Sequence, residues 1–216
     1  MTGPSDVQHD EQPLDPAAAL AIIEGERRSA TRSAIRQVPV YYYVWGGAWL
    51  VGYLVLWASW RESGAPVHIP GVVAVPVFAA LIIAGVVVSM VVGIRSNRGM
   101  RGQSSFVGMV YGWSWTILGV GAAAIGMALI RNGMPPELAA LYFPSAYALV
   151  LAALYLAGAM LWGSIDQLVI AVVVAIAGSV SPFFGAPANY LAMALIAGGA
   201  LLAGGVVASI RMRRLA

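Results

Sequence analysis

Residues 104–130, SSFVGMVYGWSWTILGVGAAAIGMALI, run between Arg101 and Arg131 with no acidic or basic side chain. A helix of this length reaches ~40 Å at about 1.5 Å per residue, against a hydrocarbon core of ~30 Å. It spans a bilayer with some tilt. Five more stretches share its character, at about 40–60, 71–94, 138–162, 165–181 and 188–210. The chain is 60% hydrophobic and 10% charged, with mean hydropathy +0.82, which excludes a soluble domain of this size. The expected fold is all-α: an integral membrane bundle of six transmembrane helices over residues 39–212.

Charge placement orients the bundle. All twelve basic residues are Arg. With six spans, Arg27, Arg28, Arg32, Arg36, Arg95, Arg98, Arg101, Arg211, Arg213 and Arg214 fall on one side, and only Arg61 and Arg131 on the other. The positive-inside rule makes the Arg-rich side cytoplasmic, so both termini are expected inside the cell membrane. Here +3 is a topology signal, not a nucleic-acid signal.

Ahead of the spans, residues 1–14 are polar, acidic and Pro-containing, and disorder is expected there. Residues 15–36 read as a helix, with Asp15 as N-cap and Pro16 at the first helical position. Together with the two residues that follow they form an amphipathic interfacial segment, 15–38. Arg28, Arg32 and Arg36 recur every four residues on one face. They suit lipid headgroups or a cytosolic partner, or they simply set topology. Arg95, Arg98 and Arg101 in the loop after the second span extend the same inner face.

Within the spans, two patterns stand out. Gly108, Gly112, Gly119 and Gly126 lie at steps of four and seven on one face of the third span, which marks it as the expected central packing helix. Gly85, Ser89 and Gly93 make a similar ridge in the second. Such ridges serve packing inside the chain or a homo-oligomer. The other pattern is an aromatic stripe in the first span, with Trp45, Trp49, Tyr53 and Trp57 at its centre. It reads either as a cavity wall with cation–π capacity or as packing against small residues of a neighbour, and its N–H and O–H groups need partners in either case.

Chemistry is sparse. The absence of Cys removes disulfides and thiolate sites. There is no phosphate-binding glycine motif, HExxH, GxSxG or Ser–His–Asp set, so no nucleotide, cofactor or metal site is expected and an enzyme is not. Glu62 and His68 share one outer loop, too few ligands for zinc. Asp166 is the one carboxylate at a span, and an intramembrane carboxylate is a candidate for proton or cation coupling. A simpler account is a capping box, Ser164-x-x-Gln167, with Asp166 in the first turn at the positive end of the helix dipole.

The D-P-x-x-A-L-x-x-I-E helix (Asp15 to Glu24), the Arg cluster and W-G-x-A-W-L (Trp45 to Leu50) together resemble a group of uncharacterised bacterial multi-span membrane proteins. More loosely, an interfacial helix before six spans is similar to ABC-2 type permease subunits, although the loops here are short and no coupling helix stands out. The expected function is an accessory or regulatory membrane subunit, embedded in the lipid bilayer and acting through a cytosolic or membrane protein partner. The alternative is a permease-type subunit for a hydrophobic or amphipathic substrate, driven by a separate ATPase.

Overall fold

The computed structural model describes residues 16–96 and 103–215, with side chains for 37–95 and 105–214. Its helices are α1 (Pro16–Ala58), α2 (Gly71–Ser96), α3 (Gln103–Arg131), α4 (Pro136–Trp162), α5 (Ile165–Val180), α6 (Ala188–Ala192) and α7 (Gly199–Leu215). A π-helical stretch, Met193–Gly198, joins α6 to α7, and 3-10 turns occupy Arg61–Ser63 and Ser181–Phe184. Every element among the described residues is helical, as expected.

The chain divides into two units, Met1–Arg36 and Gln37–Ala216. In the first, the backbone is helical from Pro16, and α1 continues through Pro39, so the expected boundary at 38–40 is not a break in the helix. Residues 1–14 and Asp15 lie outside the described residues, as do the side chains of Arg28, Arg32 and Arg36, and Arg98 and Arg101 entirely.

Among the described residues, five stretches are long and apolar enough to cross a membrane: Gly71–Arg95, Ser105–Arg131, Pro136–Trp162, Ile165–Phe184 and Ala188–Arg214. This fits a membrane protein. The expected first span, 40–60, is not among them. Its helix ends at Ala58, and its three consecutive Tyr, its Trp and its Gly weigh as polar or neutral in hydropathy, although indole and phenol rings are amphipathic.

The most buried aromatic side chains nonetheless come from that stretch. Tyr42, Trp49 and Tyr53 are 2, 4 and 3% exposed. They join Leu151 and Tyr155 of α4, Ile170 and Val174 of α5, and Met193, Ala197 and Leu201 in one core. This corrects the expectation that the third span is central. Most of α3 is exposed, and a Cβ at Gly108 or Gly112 would meet nothing within 4 Å. A Cβ at Gly119 would come only within 3.9 Å of Tyr147, whereas one at Gly126 would stand 2.5 Å from the Phe143 ring. Spacing identifies a common face but not whether a neighbour covers it. Here α4 packs on Gly126 but leaves Gly108 and Gly112 uncovered.

The turns follow from their residues. α4 ends on Gly163, at φ 62°, where a left-handed conformation is cheapest for Gly. Ser164 then caps α5, its hydroxyl accepting from the Gln167 N–H at 3.3 Å. The expected SPFFGAP turn is the Ser181–Phe184 3-10 turn and the residues after it.

Candidate functional site

Glycines seat α1 between two neighbours. On one side, a Cβ at Gly46 would stand 2.8 Å from the backbone N of Leu202, and a Cβ at Gly198 would stand 2.8 Å from the backbone N of Leu50. The two contacts are reciprocal and antiparallel. Each segment carries a Gly and, four residues on, a Leu, and each Gly meets the Leu of the other segment. Gly205 continues the seam under the Tyr43 ring at 3.0 Å, and the Tyr43 hydroxyl meets Ser209 Oγ at 3.2 Å. Close backbone approach of this kind is how helices gain dispersion energy where water supplies no driving force.

On the other side, α2 presents the expected Gly85, Ser89 and Gly93 ridge. The Trp45 ring lies 3.5 Å from the Cβ position of Gly85, its indole N–H donates to Ser89 Oγ at 3.0 Å, and the Tyr41 hydroxyl approaches Gly93 at 3.8 Å. Gly52 receives Phe78 from α2, and a Cβ there would stand 2.7 Å from that ring. Trp49 packs edge-to-face on Tyr53 (5.6 Å), and Tyr53 stacks on Tyr190 (6.1 Å). Trp57 is half-buried. Trp45 thus packs against small residues of a neighbour, whereas Trp49 and Tyr53 pack against each other and the rings of Phe78 and Tyr190.

Polar groups collect at two ends. At the end where α5 begins and α7 finishes, Arg211 donates to Asp166 Oδ2 at 2.6 Å, with the side chains 59 and 27% exposed. Half of the expected capping box forms: the Ser164 hydroxyl accepts from the Gln167 N–H, but the Ser164 N–H goes to the Ala159 carbonyl rather than to the Gln167 side chain, and the ion pair gives Asp166 a partner that sequence spacing could not supply. Arg95, Arg213 and Arg214 are exposed. Beside this pair, a line of rings runs Tyr42–Tyr155–Trp115–Tyr111–Trp162, with centroids 4.7–6.2 Å apart. The Tyr111 hydroxyl donates to the Leu154 carbonyl at 3.1 Å, and it lies with Gln167 Oε1 over Gly158, where a Cβ would collide with that oxygen. Tyr42 Oη and Gln167 Oε1 are buried without a hydrogen-bond partner.

At the opposite end, Pro144 sits inside α4 and has no N–H to give to the Ala140 carbonyl. Asn189 of α6 replaces it: its Nδ2 donates to Ala140 O at 2.7 Å, and the residue is wholly buried. Sequence reasoning missed Asn189. The available signal was a helix-internal Pro, which leaves a carbonyl in need of a donor, together with an amide placed in an apolar stretch.

Among the described residues no group of acidic, His or Cys side chains could hold a metal ion. Glu62 and His68 are both exposed. Ser114 of α3 bonds back to the Val110 carbonyl at 2.8 Å. Comparison with protein-family models, curated proteins and solved structures returned no match. The site is therefore argued from its own geometry.

Proposed function

We propose that the chain is a six-span plasma-membrane protein with both termini cytoplasmic, working as an accessory or regulatory subunit through a partner at its Arg-rich face. The first of the six spans is residues 40–58, whose rings are held by α2 and α7 and whose hydropathy is lowered by Trp, Tyr and Gly. The observation that carries this reading is the burial of Trp49 and Tyr53, 4 and 3% exposed, against Phe78, Tyr190 and each other. Rings engaged in this way favour packing over a substrate wall. What the chain presents instead is an apolar periphery for lipid and arginines at one end. Arginine offers planar, multidentate donors suited to carboxylates or phosphates on a docking partner.

The test is extraction into lipid nanodiscs and mass spectrometry of whatever co-purifies in stoichiometric amount. A protein partner lost on Arg28→Ala with Arg32→Ala, while the bundle remains folded, supports this reading. A co-purifying ATPase overturns it and points to the permease alternative.

A further inference from the structure

Three side-chain oxygens near the Asn189 end of the bundle are buried without a hydrogen-bond partner: Ser145 Oγ, Ser181 Oγ and Asn189 Oδ1. Asn189 and Ser181 are 0 and 1% exposed. Packing brings all three to one level. A Cβ at Gly178 would lie 2.5 Å from Ala148 Cβ and 3.4 Å from the Ser145 carbonyl, which fixes α5 against α4. The two helices run antiparallel, so Ser181, one turn beyond Gly178, falls opposite the turn of α4 that contains Ser145. Asn189 reaches the same turn, because the carbonyl of Ala140 points along α4 toward Pro144. The Ser181–Phe184 turn packs on both α4 and α6.

The chemistry of the three oxygens is complementary to one molecule. Asn189 uses its Nδ2 on Ala140, which turns Oδ1 the other way as a pure acceptor. Each Ser brings an O–H donor. Unlike Ser114, neither Ser145 nor Ser181 bonds back to its own helix. Two donors and one acceptor match a water molecule, which accepts from both hydroxyls and donates to the amide oxygen. About three bonds to otherwise unsatisfied groups is the usual coordination of a buried structural water. A bare cation fits less well. No carboxylate lies on these turns, and a neutral site in an apolar interior repays ion desolvation poorly.

We propose that Ser145, Ser181 and Asn189 form a built site for an ordered water that ties α4, α5 and α6 together where Pro144 interrupts the α4 hydrogen-bond ladder. The test turns on sign. Thermal unfolding is followed in nanodiscs in choline chloride for the unsubstituted protein, Ser145→Ala, Ser181→Ala and the double variant. If a water links the three, each single variant lowers the melting temperature by about 2–4 °C, and the double variant loses less than the sum because both hydroxyls serve one molecule. If the hydroxyls are merely buried and unpaired, removing one leaves the melting temperature unchanged or raises it, and the proposal falls. It falls equally if NaCl in place of choline chloride raises the melting temperature of the unsubstituted protein, since the oxygens would then belong to a sodium ion. Density for a water between Ser181 and Asn189, in a map where ordered waters are visible, supports the proposal directly.

Discussion

Gly198 and Gly199 are neighbours of the same type, yet substituting them should have opposite effects. At Gly198 a methyl group would meet Leu50 N at 2.8 Å, Leu50 Cα at 3.0 Å and Leu50 Cβ at 3.2 Å, two of them backbone atoms that cannot swing aside. Ordinary contact begins near 3.4 Å, so the α1 seam must open by about 0.6 Å there. A gap of that order forfeits a quarter or more of each dispersion contact it affects. Overpacking typically costs about 1–3 kcal/mol. At Gly199 a Cβ would meet nothing within 4 Å, and Ala gains about 1 kcal/mol of helix propensity with no opposing clash. Both variants share the propensity gain, so the difference between Gly198→Ala and Gly199→Ala is the overpacking alone. For a chain of this size, 2 kcal/mol is roughly 6 °C in melting temperature. The assay is thermal unfolding in nanodiscs followed by tryptophan fluorescence. If Gly198→Ala melts as high as Gly199→Ala, the reciprocal Gly–Leu seam between α1 and the Gly198–Leu202 turn is not what holds these helices together.

Other outcomes follow from the same geometry. Asn189→Leu strips the Ala140 carbonyl of its donor and should cost about 1–3 kcal/mol, whereas in a Pro144→Ala background, where residue 144 regains an N–H for that carbonyl, the same change should cost clearly less; equal costs in a double-mutant cycle would refute the substitution of Asn189 for the missing ladder bond. Trp45→Phe and Ser89→Ala should each destabilise, and together by less than their sum, with a coupling of about 0.5–1.5 kcal/mol from the indole–hydroxyl bond. Arg211→Gln should shift stability by no more than about 1 kcal/mol, because the exposed Arg211 leaves its pair with Asp166 open to water and salt, and the shift should shrink further in high salt. Gly108→Ala should be neutral or slightly stabilising, unlike Gly126→Ala, where Phe143 blocks the new methyl group.

Several features of this fold are legible in single residues. Gly163 as a helix stop, Ser164 as a cap and the SPFFGAP turn need only local backbone preferences. The Gly85, Ser89 and Gly93 ridge was also readable, because steps of four put small residues on one face whatever the partner. The same logic failed on α3. Gly108 and Gly112 share a face with Gly126 as the spacing requires, but nothing in the spacing says where α4 crosses. In the first span, hydropathy and packing point in opposite directions. Trp and Tyr depress the apolar score of residues 40–58, while the same rings fill the centre of the bundle.

Sequence alone determined the class of the chain. Uninterrupted apolar stretches leave backbone groups no partner but their own helix, and the arginine distribution is a property of chain order that needs no coordinates. Tertiary structure alone decided the rest: that Tyr42, Trp49 and Tyr53 of α1 are buried, that Gly46 and Gly198 face Leu202 and Leu50 while Gly47 and Gly199 face open space, that Arg211 reaches Asp166, and that Asn189 serves the carbonyl freed by Pro144. The reason is physical. Helix propensity and hydrophobicity act within one turn or one span, whereas each of these contacts joins residues 45 or more positions apart, and which faces meet depends on how all the helices pack at once.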